Sequence, residues 1–406
     1  MTFESKTTTL SGLEGPGEGL VVRALNRMIA QIDFGQITVV LPSGDRIQRS
    51  GASTGPSAML VLNRWRAIGR LISQGDLGFA EAYIDGDWTS PDLPALLELA
   101  AGNIALLDRS TAGFWPARIF NRVRHLLRAN SKAGSRRNIA FHYDLGNAFY
   151  ERWLDRSMTY SSALYAHPDQ TLEDAQEAKL SRVEQLLDLR GGEKVLEIGC
   201  GWGALAMRLA LAGARVTGVT LSSEQLAFSR QRVEQQAAVG KVALELTDYR
   251  DLEGRYDRIV SIEMLEAVGE AYWPIYFKTL HDRLHEGGIV VLQVITIDET
   301  RFETYRRSAD FIQRHIFPGG MLPTKGILVE LSARAGLELV STESFGQSYA
   351  ATLAEWRKRF LASWPDIAEM GFSERFRRLW DYYLCYCEAG FRAETIDVGF
   401  YVLAKG

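Results

Sequence analysis

The chain has 406 residues, which is enough for two domains with separate hydrophobic cores. Apolar residues make up 46% of it and charged residues 24%, a composition typical of a folded globular protein. The net charge of −4 does not favour nucleic-acid binding, and we predict no nucleic-acid partner. The polar first ten residues lack the apolar core of a signal peptide. Three cysteines, which cannot all pair with one another, indicate a reducing compartment.

Residues 1–114 are predicted to form a small α+β domain that serves as an accessory region, with a lipid, membrane or dimer contact as its role. Residues 37–41 and 46–48 are separated by a Pro-Ser-Gly-Asp turn and predict a β-hairpin. Residues 58–73 and 93–101 are predicted to be helical, with turns at Gly75 and Gly86. No group of catalytic side chains stands out in this region.

Residues 115–137 are predicted to form a basic amphipathic helix followed by a linker. No acidic residue occurs between Asp108 and Asp144. Apolar side chains recur at helical spacing from residue 119 to residue 127 and form one stripe. Much of the remaining helix surface carries Arg118, Arg122, Arg124 and Arg128. Such a helix can dock on an anionic membrane surface, or it can be a linker packed on a neighbouring domain. The first interpretation places the protein in the cytoplasm, peripherally associated with the inner face of the membrane.

Residues 138–406 alternate predicted strands and helices, a pattern typical of an α/β domain with a parallel sheet. The predicted helices are residues 172–187, 204–212 and 224–238. The predicted strands are residues 194–198, 215–219, 242–246, 257–262, 289–297, 337–341 and 398–404.

The segment 195–203 predicts a ligand-binding loop, because an apolar strand runs into three alternating glycines before a helix begins. Gly199, Gly201 and Gly203 allow a sharp turn and a close approach of the backbone to a ligand at the carboxyl end of the strand. A dinucleotide-binding loop is the competing interpretation. A dehydrogenase would place an acidic residue about 20 positions further on to bind the ribose, and this chain has Thr220 there.

Eight short motifs, in the same order, resemble the cyclopropane fatty acid synthase family, which includes the mycolic acid cyclopropane synthases. They fall within residues 142–150, 158–162, 197–203, 220–225, 261–269, 317–323, 349–353 and 386–391. The resemblance implies a Rossmann-like seven-stranded methyltransferase sheet with one antiparallel strand near its edge. It also implies S-adenosylmethionine as the cofactor. The implied cofactor contacts are Tyr160, Ser161, Glu197, Gly199, Gly201, Gly203, Thr220, Leu221, Gln225, Asp248 and Tyr249.

The same resemblance implies methyl transfer to the double bond of an unsaturated acyl chain, often in a membrane phospholipid. Phe317, Gly319 and Gly320 are implied to line the substrate channel. Members of the family are thought to use a bound bicarbonate as the base, held by a glutamate, a tyrosine, a cysteine and a histidine. The implied catalytic residues here are Glu266, Tyr349, Ser162 and His142, and no metal site is predicted.

The sequence departs from the family at the bicarbonate ligands. Ser162 stands at the cysteine position, and Ile295 stands at the histidine position, where its side chain has no polar atom to offer an anion. Gln293 lies two residues earlier, on the same face of the predicted strand, and can substitute. Bicarbonate binding is therefore doubtful, and so is closure of a cyclopropane ring.

The sequence does not decide which product forms or which of two further partners the protein has. A ring, a methylene branch and a methyl branch are all compatible with the sequence. The alternatives are a step in furan fatty acid synthesis, a methyltransferase for a small molecule, and a lipid-binding relative without catalysis. A homodimer is open, as is a redox partner if the product is a branched or furan chain.

Overall fold

A computed structural model describes residues 18–103, 145–235, 240–307 and 309–406. The predicted basic helix and linker of residues 115–137 lie outside the described residues, with Arg118, Arg122, Arg124 and Arg128. His142 lies outside them as well. Two compact units are present. The described residues of the first are 18–103 and 373–393, and the second contains the other described residues.

The described helices, in chain order, are α1 (Glu18–Ala30), α2 (Arg66–Ile84), α3 (Leu93–Gly102), α4 (Asn147–Glu151), α5 (Leu172–Leu186), α6 (Ala204–Leu211), α7 (Ser223–Glu234), α8 (Leu265–Val268), α9 (Trp273–Arg283), α10 (Glu299–Tyr305), α11 (Phe311–His315), α12 (Lys325–Arg334), α13 (Gly346–Ala362), α14 (Trp364–Glu369) and α15 (Glu374–Arg392). The described strands are β1 (Phe34–Val40), β2 (Arg46–Ser50), β3 (Ser53–Leu62), β4 (Trp88–Thr89), β5 (Lys194–Ile198), β6 (Arg215–Thr220), β7 (Val242–Leu246), β8 (Tyr256–Ile262), β9 (Leu284–Ile297), β10 (Glu338–Ser344) and β11 (Ile396–Ala404).

The first unit is built on a four-stranded sheet in the order β2-β1-β3-β4. The predicted hairpin is confirmed as the antiparallel pair β1–β2. The predicted helix over residues 58–73 is wrong in its first part, since residues 58–62 belong to β3 and α2 begins at Arg66. Alternate side chains of β3 are buried there, from Ala58 to Leu62, which is the period of a half-buried strand.

Helix α15 packs on α2 and α3 of the first unit, so residues 373–393 do not belong with the rest of the predicted 138–406 domain. The Tyr83 hydroxyl donates a 2.7 Å hydrogen bond to Asp381 of α15. The ring of Tyr382 packs 5.6 Å from that of Tyr83. The alternation of strands and helices along the chain gives no sign that one late helix returns to the first unit.

The second unit contains a seven-stranded sheet in the order β10-β11-β9-β8-β5-β6-β7. Strand β11 is antiparallel to both of its neighbours, whereas β9, β8, β5, β6 and β7 are mutually parallel. The predicted Rossmann-like α/β fold is confirmed, and all seven predicted strands are present with ends shifted by a few residues. Leu196, Ile259, Val290 and Leu292 are buried in the core of this sheet. Within the described ranges, no helix combines the length and the apolar character needed to cross a bilayer.

Candidate active site

The loop after β5 is shaped by glycines that lie in the left-handed region of backbone conformation. Gly199, Gly201 and Gly203 have φ values of +86°, +50° and +82°. A Cβ atom on Gly199 would lie 3.2 Å from Cγ of Met264, and one on Gly203 would lie 3.0 Å from Cβ of Ser229. A side chain at either position would therefore combine backbone strain with close contact. A Cβ on Gly201 would have no described protein atom within 4 Å, so this glycine faces open space at the carboxyl end of β5.

Two buried ionisable side chains lie behind this loop. Glu197, at the end of β5, is 3% exposed, and Lys179 of α5 is 1% exposed. Burial raises the pKa of Glu197 to about 8, and the nearby Lys179 opposes this rise. Burial also lowers the pKa of Lys179 to about 8, against the attraction of nearby carboxylates. Oxygen Oε2 of Glu197 is buried and has no hydrogen-bond partner among the described residues, so it can accept from a cationic ligand.

The residues before and after the loop are held by a network of hydrogen bonds. Lys179 Nζ donates to Ser161 Oγ at 2.9 Å, which fixes the segment carrying Tyr160 and Ser161. After β6, Thr220 Oγ1 donates to Gln225 Oε1 at 2.9 Å. Ser222 caps α7 by accepting from the backbone N–H of Gln225. Leu221 lies between these residues, in the turn at the carboxyl end of β6.

Asp248 lies in the turn after β7, where Arg250 holds its carboxylate. The guanidinium donates from Nε and Nη2 to the two carboxylate oxygens at 2.8 and 2.7 Å. The same guanidinium lies 5.3 Å from the ring centre of the neighbouring Tyr249. This fork-to-fork pair orients Asp248 after the carboxyl end of β7.

Five aromatic side chains, here called the aromatic cluster, pack beside the glycine loop. Ring centres are 5.5 Å apart for Tyr150 and Tyr160, 5.2 Å for Tyr150 and Trp202, and 5.2 Å for Tyr160 and Trp356; the fifth member is Trp153. The indole N–H of Trp202 donates to Asn147 Oδ1 at 2.8 Å. Tyr349 meets the cluster edge-on, 6.1 Å from Trp356.

Three donors converge on the carboxylate of Glu263, directly after β8. The backbone N–H of Ser162 and the amide of Gln293 donate to Oε1 at 2.8 and 2.7 Å. The hydroxyl of Tyr349 donates to Oε2 at 2.7 Å. Burial raises the pKa of Glu263, while these donors and Lys179 oppose that rise. We call Glu263 and its three donors the Glu263 cluster.

Glu266 lies three residues after Glu263, in α8, and contacts a different set of atoms. Its Oε1 accepts from the backbone N–H of Ile295. Its Oε2 is buried and has no hydrogen-bond partner within the described part of the chain. Burial, reinforced by the nearby charge of Glu263, raises the pKa of Glu266 to about 8. Burial and the nearby Glu263 thus favour the protonated form of Glu266.

The loop that carries Phe317, Gly319 and Gly320 lies against α8. The backbone N–H of Met321 donates to the carbonyl of Glu266 at 2.8 Å. A Cβ on Gly320 would lie 3.1 Å from the carbonyl oxygen of Phe317 and 3.4 Å from that of Glu266. The absence of a side chain at Gly320 thus permits the close approach of this loop to α8.

Comparison with known proteins places this site in one family. Residues 130–400 match the family described as mycolic acid cyclopropane synthetase. The chain is 40% identical over 359 residues to tuberculostearic acid methyltransferase UfaA1 of Mycobacterium tuberculosis, covering 86% of this chain and 84% of that protein. The chain belongs to the mycolic acid cyclopropane synthetase family.

Two further relatives agree with this assignment. The chain is 37% identical over 346 residues to the cyclopropane-fatty-acyl-phospholipid synthase of Escherichia coli strain K12, covering 83% of this chain and 85% of that protein. The crystal structure of mycolic acid cyclopropane synthase CmaA1 complexed with SAH and CTAB matches with a TM-score of 0.63 at 31% identity, covering 66% of this chain and 98% of that one. The chain is therefore an S-adenosylmethionine-dependent methyltransferase, and the dehydrogenase interpretation of the glycine loop is wrong.

S-adenosylmethionine fits the residues that surround the glycine loop. The orphaned oxygen of buried Glu197 and the open space at Gly201 suit a cationic ligand that approaches the backbone closely. Gly199, Gly203, Thr220, Leu221 and Gln225 lie at the same edge of the sheet, at the ends of β5 and β6. Tyr160 and Ser161 flank this edge, and Asp248 and Tyr249 follow β7. Their individual roles in binding the cofactor stay predictions.

The family's bicarbonate does not fit the donors found here. The donors that would hold it, from Tyr349, Gln293 and the residue at position 162, are already taken up by the carboxylate of Glu263. The Ser162 hydroxyl, expected to face an anion, donates instead to the backbone carbonyl of Ala163 at 2.9 Å. Tyr349, paired with Glu266 in the predicted catalytic set, contacts Glu263 by its hydroxyl. The backbone N–H of Ile295, rather than its side chain, contacts Glu266.

Glu263 and Lys179 lie in the candidate site and were not predicted from the sequence. Glu263 carried a weak signal, since it follows a buried strand within a family motif, but an exposed loop position explained it equally well. Lys179 sits in a helix with many charged residues and looks like a solvent-facing side chain. Only the fold shows that Lys179 is buried, with its ammonium group bonded to Ser161.

Proposed function

We propose that the protein transfers a methyl group from S-adenosylmethionine to the double bond of an unsaturated acyl chain in a membrane phospholipid. The named relatives support this, since one is a tuberculostearic acid methyltransferase and another is a cyclopropane-fatty-acyl-phospholipid synthase. The observation that carries the proposal is the position of the Glu263 cluster. It holds a carboxylate next to the aromatic cluster and adjoins the glycine loop through Met264.

An alkene is a weak nucleophile, so the reaction requires its alignment with an electrophilic methyl group, which S-adenosylmethionine supplies. The attack leaves a positive charge on the acyl chain. Aromatic faces stabilise such a charge without trapping it as a nucleophile would. We infer this role for Tyr160 and Trp202 of the aromatic cluster, for Tyr349, whose ring contacts Trp356 of that cluster, and for Phe317.

A proton acceptor must then complete the reaction. A carboxylate that is half-buried and held in place by hydrogen bonds accepts a proton well, because little reorganisation precedes the transfer. Loss of the proton gives either a cyclopropane ring or a methylene branch on the acyl chain. The product is one CH₂ heavier than the substrate in both cases.

Docking on an anionic membrane surface through Arg118, Arg122, Arg124 and Arg128 stays a prediction from the sequence. The same holds for peripheral association with the inner face of the membrane, for a lipid or dimer contact of residues 1–114, for a homodimer, and for a redox partner. Pelleting with anionic vesicles at low and high salt tests the first of these, because electrostatic docking weakens with ionic strength.

Mass spectrometry of lipids tests the proposed function directly. The purified protein is incubated with S-adenosylmethionine and vesicles of either monounsaturated or saturated phosphatidylglycerol. We expect a gain of one CH₂ only in the unsaturated lipid. Proton NMR of the product then separates a ring, whose signals lie upfield of methyl groups, from a methylene branch with vinyl signals. No gain in any unsaturated lipid would contradict the proposal.

The same assay separates the alternatives that the sequence left open. A methyltransferase for a small molecule would turn over S-adenosylmethionine with a soluble acceptor and without vesicles. A lipid-binding relative without catalysis would pellet with vesicles and give no methylated product. A step toward furan fatty acids would show as a methylated chain that a further oxidation consumes.

A further inference from the structure

We propose that the carboxylate of Glu263 is the base that completes the reaction, so that the chain itself supplies the anion that a bound bicarbonate would otherwise provide. This inference rests on the proposed function and names the group that receives the proton. It differs from the catalytic set predicted from the sequence, in which Glu266 was the glutamate of the site.

The three donors of the Glu263 cluster are arranged as in an anion-binding site, and the anion they bind is the side chain of Glu263 itself. Three donors meet the two oxygens of one planar carboxylate, from the segment before α5, from β9 and from α13. A free carboxylate-sized anion would need the same N–H and O–H groups. The donors at Ser162, Gln293 and Tyr349 already serve Glu263, so these three groups cannot hold a free anion while that carboxylate is in place.

The backbone at Glu263 is held in a conformation that side chains rarely adopt. Its φ is +48°, in the left-handed region, directly at the end of β8. Such strain persists only where the surrounding structure enforces it, and it is concentrated at functional sites. Here the backbone N–H of Glu263 donates to the carbonyl of Gln293 at 2.8 Å, which fixes the turn and directs the carboxylate toward Tyr349.

The neighbouring charges favour an ionised Glu263 next to a neutral Glu266. The titratable groups that face Glu263 within the described residues are Lys179 of α5, Tyr349 of α13 and Glu266 of α8. Lys179 and the three donors stabilise the negative charge on Glu263. Glu266 receives one backbone donor and retains its proton, because two adjacent carboxylates do not both ionise readily.

The proton balance follows from the chemistry of the acyl chain. The π electrons of the double bond form a bond to the methyl carbon, the carbon–sulfur bond breaks, and its electron pair remains on sulfur in S-adenosylhomocysteine. The second alkene carbon is left positively charged. Glu263 takes one proton from the new methyl group, and the released C–H pair closes the ring.

A methylene branch uses the same base. A hydride first shifts from the methylated carbon to the charged one, and the C–H pair released from the methyl group then forms a carbon–carbon double bond. Both routes end with a neutral Glu263, which returns its proton to water before the next turnover.

The test compares wild-type protein with Glu263→Gln and Glu263→Gly, in buffer purged of carbon dioxide and in buffer with added bicarbonate. Glycine relieves the strain at φ +48° and removes the carboxylate, so this variant is expected to fold. Glu394→Gly is the matched control, because Glu394 also has a left-handed φ, of +53°, and its side chain is exposed.

We expect bicarbonate to change the wild-type rate by no more than about twofold. Both Glu263 variants should have rates roughly 100-fold lower or more, the usual contribution of a general base. Bicarbonate is expected to increase the rate of Glu263→Gly at least about tenfold and to leave the rate of Glu263→Gln unchanged. A readout independent of turnover is the melting temperature without substrate. Bicarbonate should raise it in Glu263→Gly and leave it unchanged in the wild type, since only a bound ligand stabilises the folded state.

The proposal is overturned if the wild-type rate collapses without bicarbonate and returns with it. It is also overturned if Glu263→Gln keeps most of the wild-type rate, or if bicarbonate raises the melting temperature of the wild type as it does that of Glu263→Gly. A wild type that methylates no unsaturated lipid would instead contradict the proposed function. The melting measurements would still decide whether Glu263 occupies the anion site.

Discussion

The hydroxyl of Tyr349 on α13 donates a 2.7 Å hydrogen bond to Oε2 of Glu263, 86 residues earlier in the chain. This bond stabilises the ionised carboxylate, so its removal in Tyr349→Phe should raise the pKa of Glu263 further. We expect kcat at pH 7 to fall about 10- to 100-fold and the acid limb of the pH–rate profile to move to higher pH. Activity rises with pH along this limb because the base must be deprotonated.

Tyr256→Phe, at the opposite end of β8, is the control for the loss of a tyrosine hydroxyl. Tyr349→Phe should also lower the free energy of unfolding by about 1–3 kcal/mol, the range for a hydrogen bond to a charged group. A variant with a reduced rate and an unmoved acid limb would show that Tyr349 acts on the substrate and not through Glu263.

Glu266→Gln tests the inference that Glu266 is neutral where Glu263 is ionised, which follows from the single donor to Glu266 and the three donors to Glu263. The amide copies the shape and neutrality of a protonated carboxyl group, so we expect kcat at pH 7 to stay within about fivefold of the wild type. A raised pKa of about 8 means that the folded wild type loses stability as pH rises from the ordinary glutamate pKa through 8.

The variant lacks this titration, so its stability relative to the wild type should increase by about 1–3 kcal/mol between pH 6 and pH 9. Urea unfolding at the two pH values measures the change. A loss of activity of 100-fold or more in Glu266→Gln would mean that Glu266 works as an anion, as the family resemblance implied.

The sheet and its cofactor edge could be predicted from the sequence because both depend on local patterns. Strand β5 with its three glycines is a continuous segment, and its apolar run and turn residues need no distant partner to be recognised. The Glu263 cluster could not be predicted in the same way. Its four members come from residues 162, 263, 293 and 349, and only the fold brings them together.

Helix α15 illustrates the second limit of sequence analysis. An apolar helix face does not by itself identify the surface that covers it. The buried hydrogen bond between Asp381 and Tyr83 spans 298 residues, a separation to which no local pattern is sensitive. The boundary of the first unit was therefore misplaced even though the helical character of this segment is regular.

Gly201 tests the placement of the cofactor. A Cβ at this position meets no described protein atom within 4 Å, so Gly201→Ala should cost only about 1 kcal/mol of stability for its left-handed backbone. We expect the KM for S-adenosylmethionine to rise at least about tenfold, because the added methyl group occupies space at the carboxyl end of β5.

Gly254→Ala is the matched control. Gly254 also has a positive φ, of +75°, with open space around its Cβ position, but it precedes β8 at the opposite edge of the sheet. We expect a similar loss of stability and an unchanged KM. Equal KM values in the two variants would remove Gly201 from the cofactor site.

Tyr83→Phe tests whether α15 stabilises the first unit. The Tyr83 hydroxyl donates to Asp381, which is 5% exposed, and the ring lies 4.3 Å from the guanidinium of Arg378. Phenylalanine keeps the ring contacts and removes one donor from a buried carboxylate, at a cost of about 1–3 kcal/mol. The double variant Tyr83→Phe/Asp381→Asn should therefore recover part of the stability lost by Tyr83→Phe, because the neutral amide is less costly to leave without that donor.

Chemical denaturation monitored by tryptophan fluorescence measures the stability of both variants, with Trp88 and Trp380 as reporters within the unit. Strictly additive losses would mean that Tyr83 and Asp381 do not interact, and that α15 is held to the first unit by its aromatic face alone.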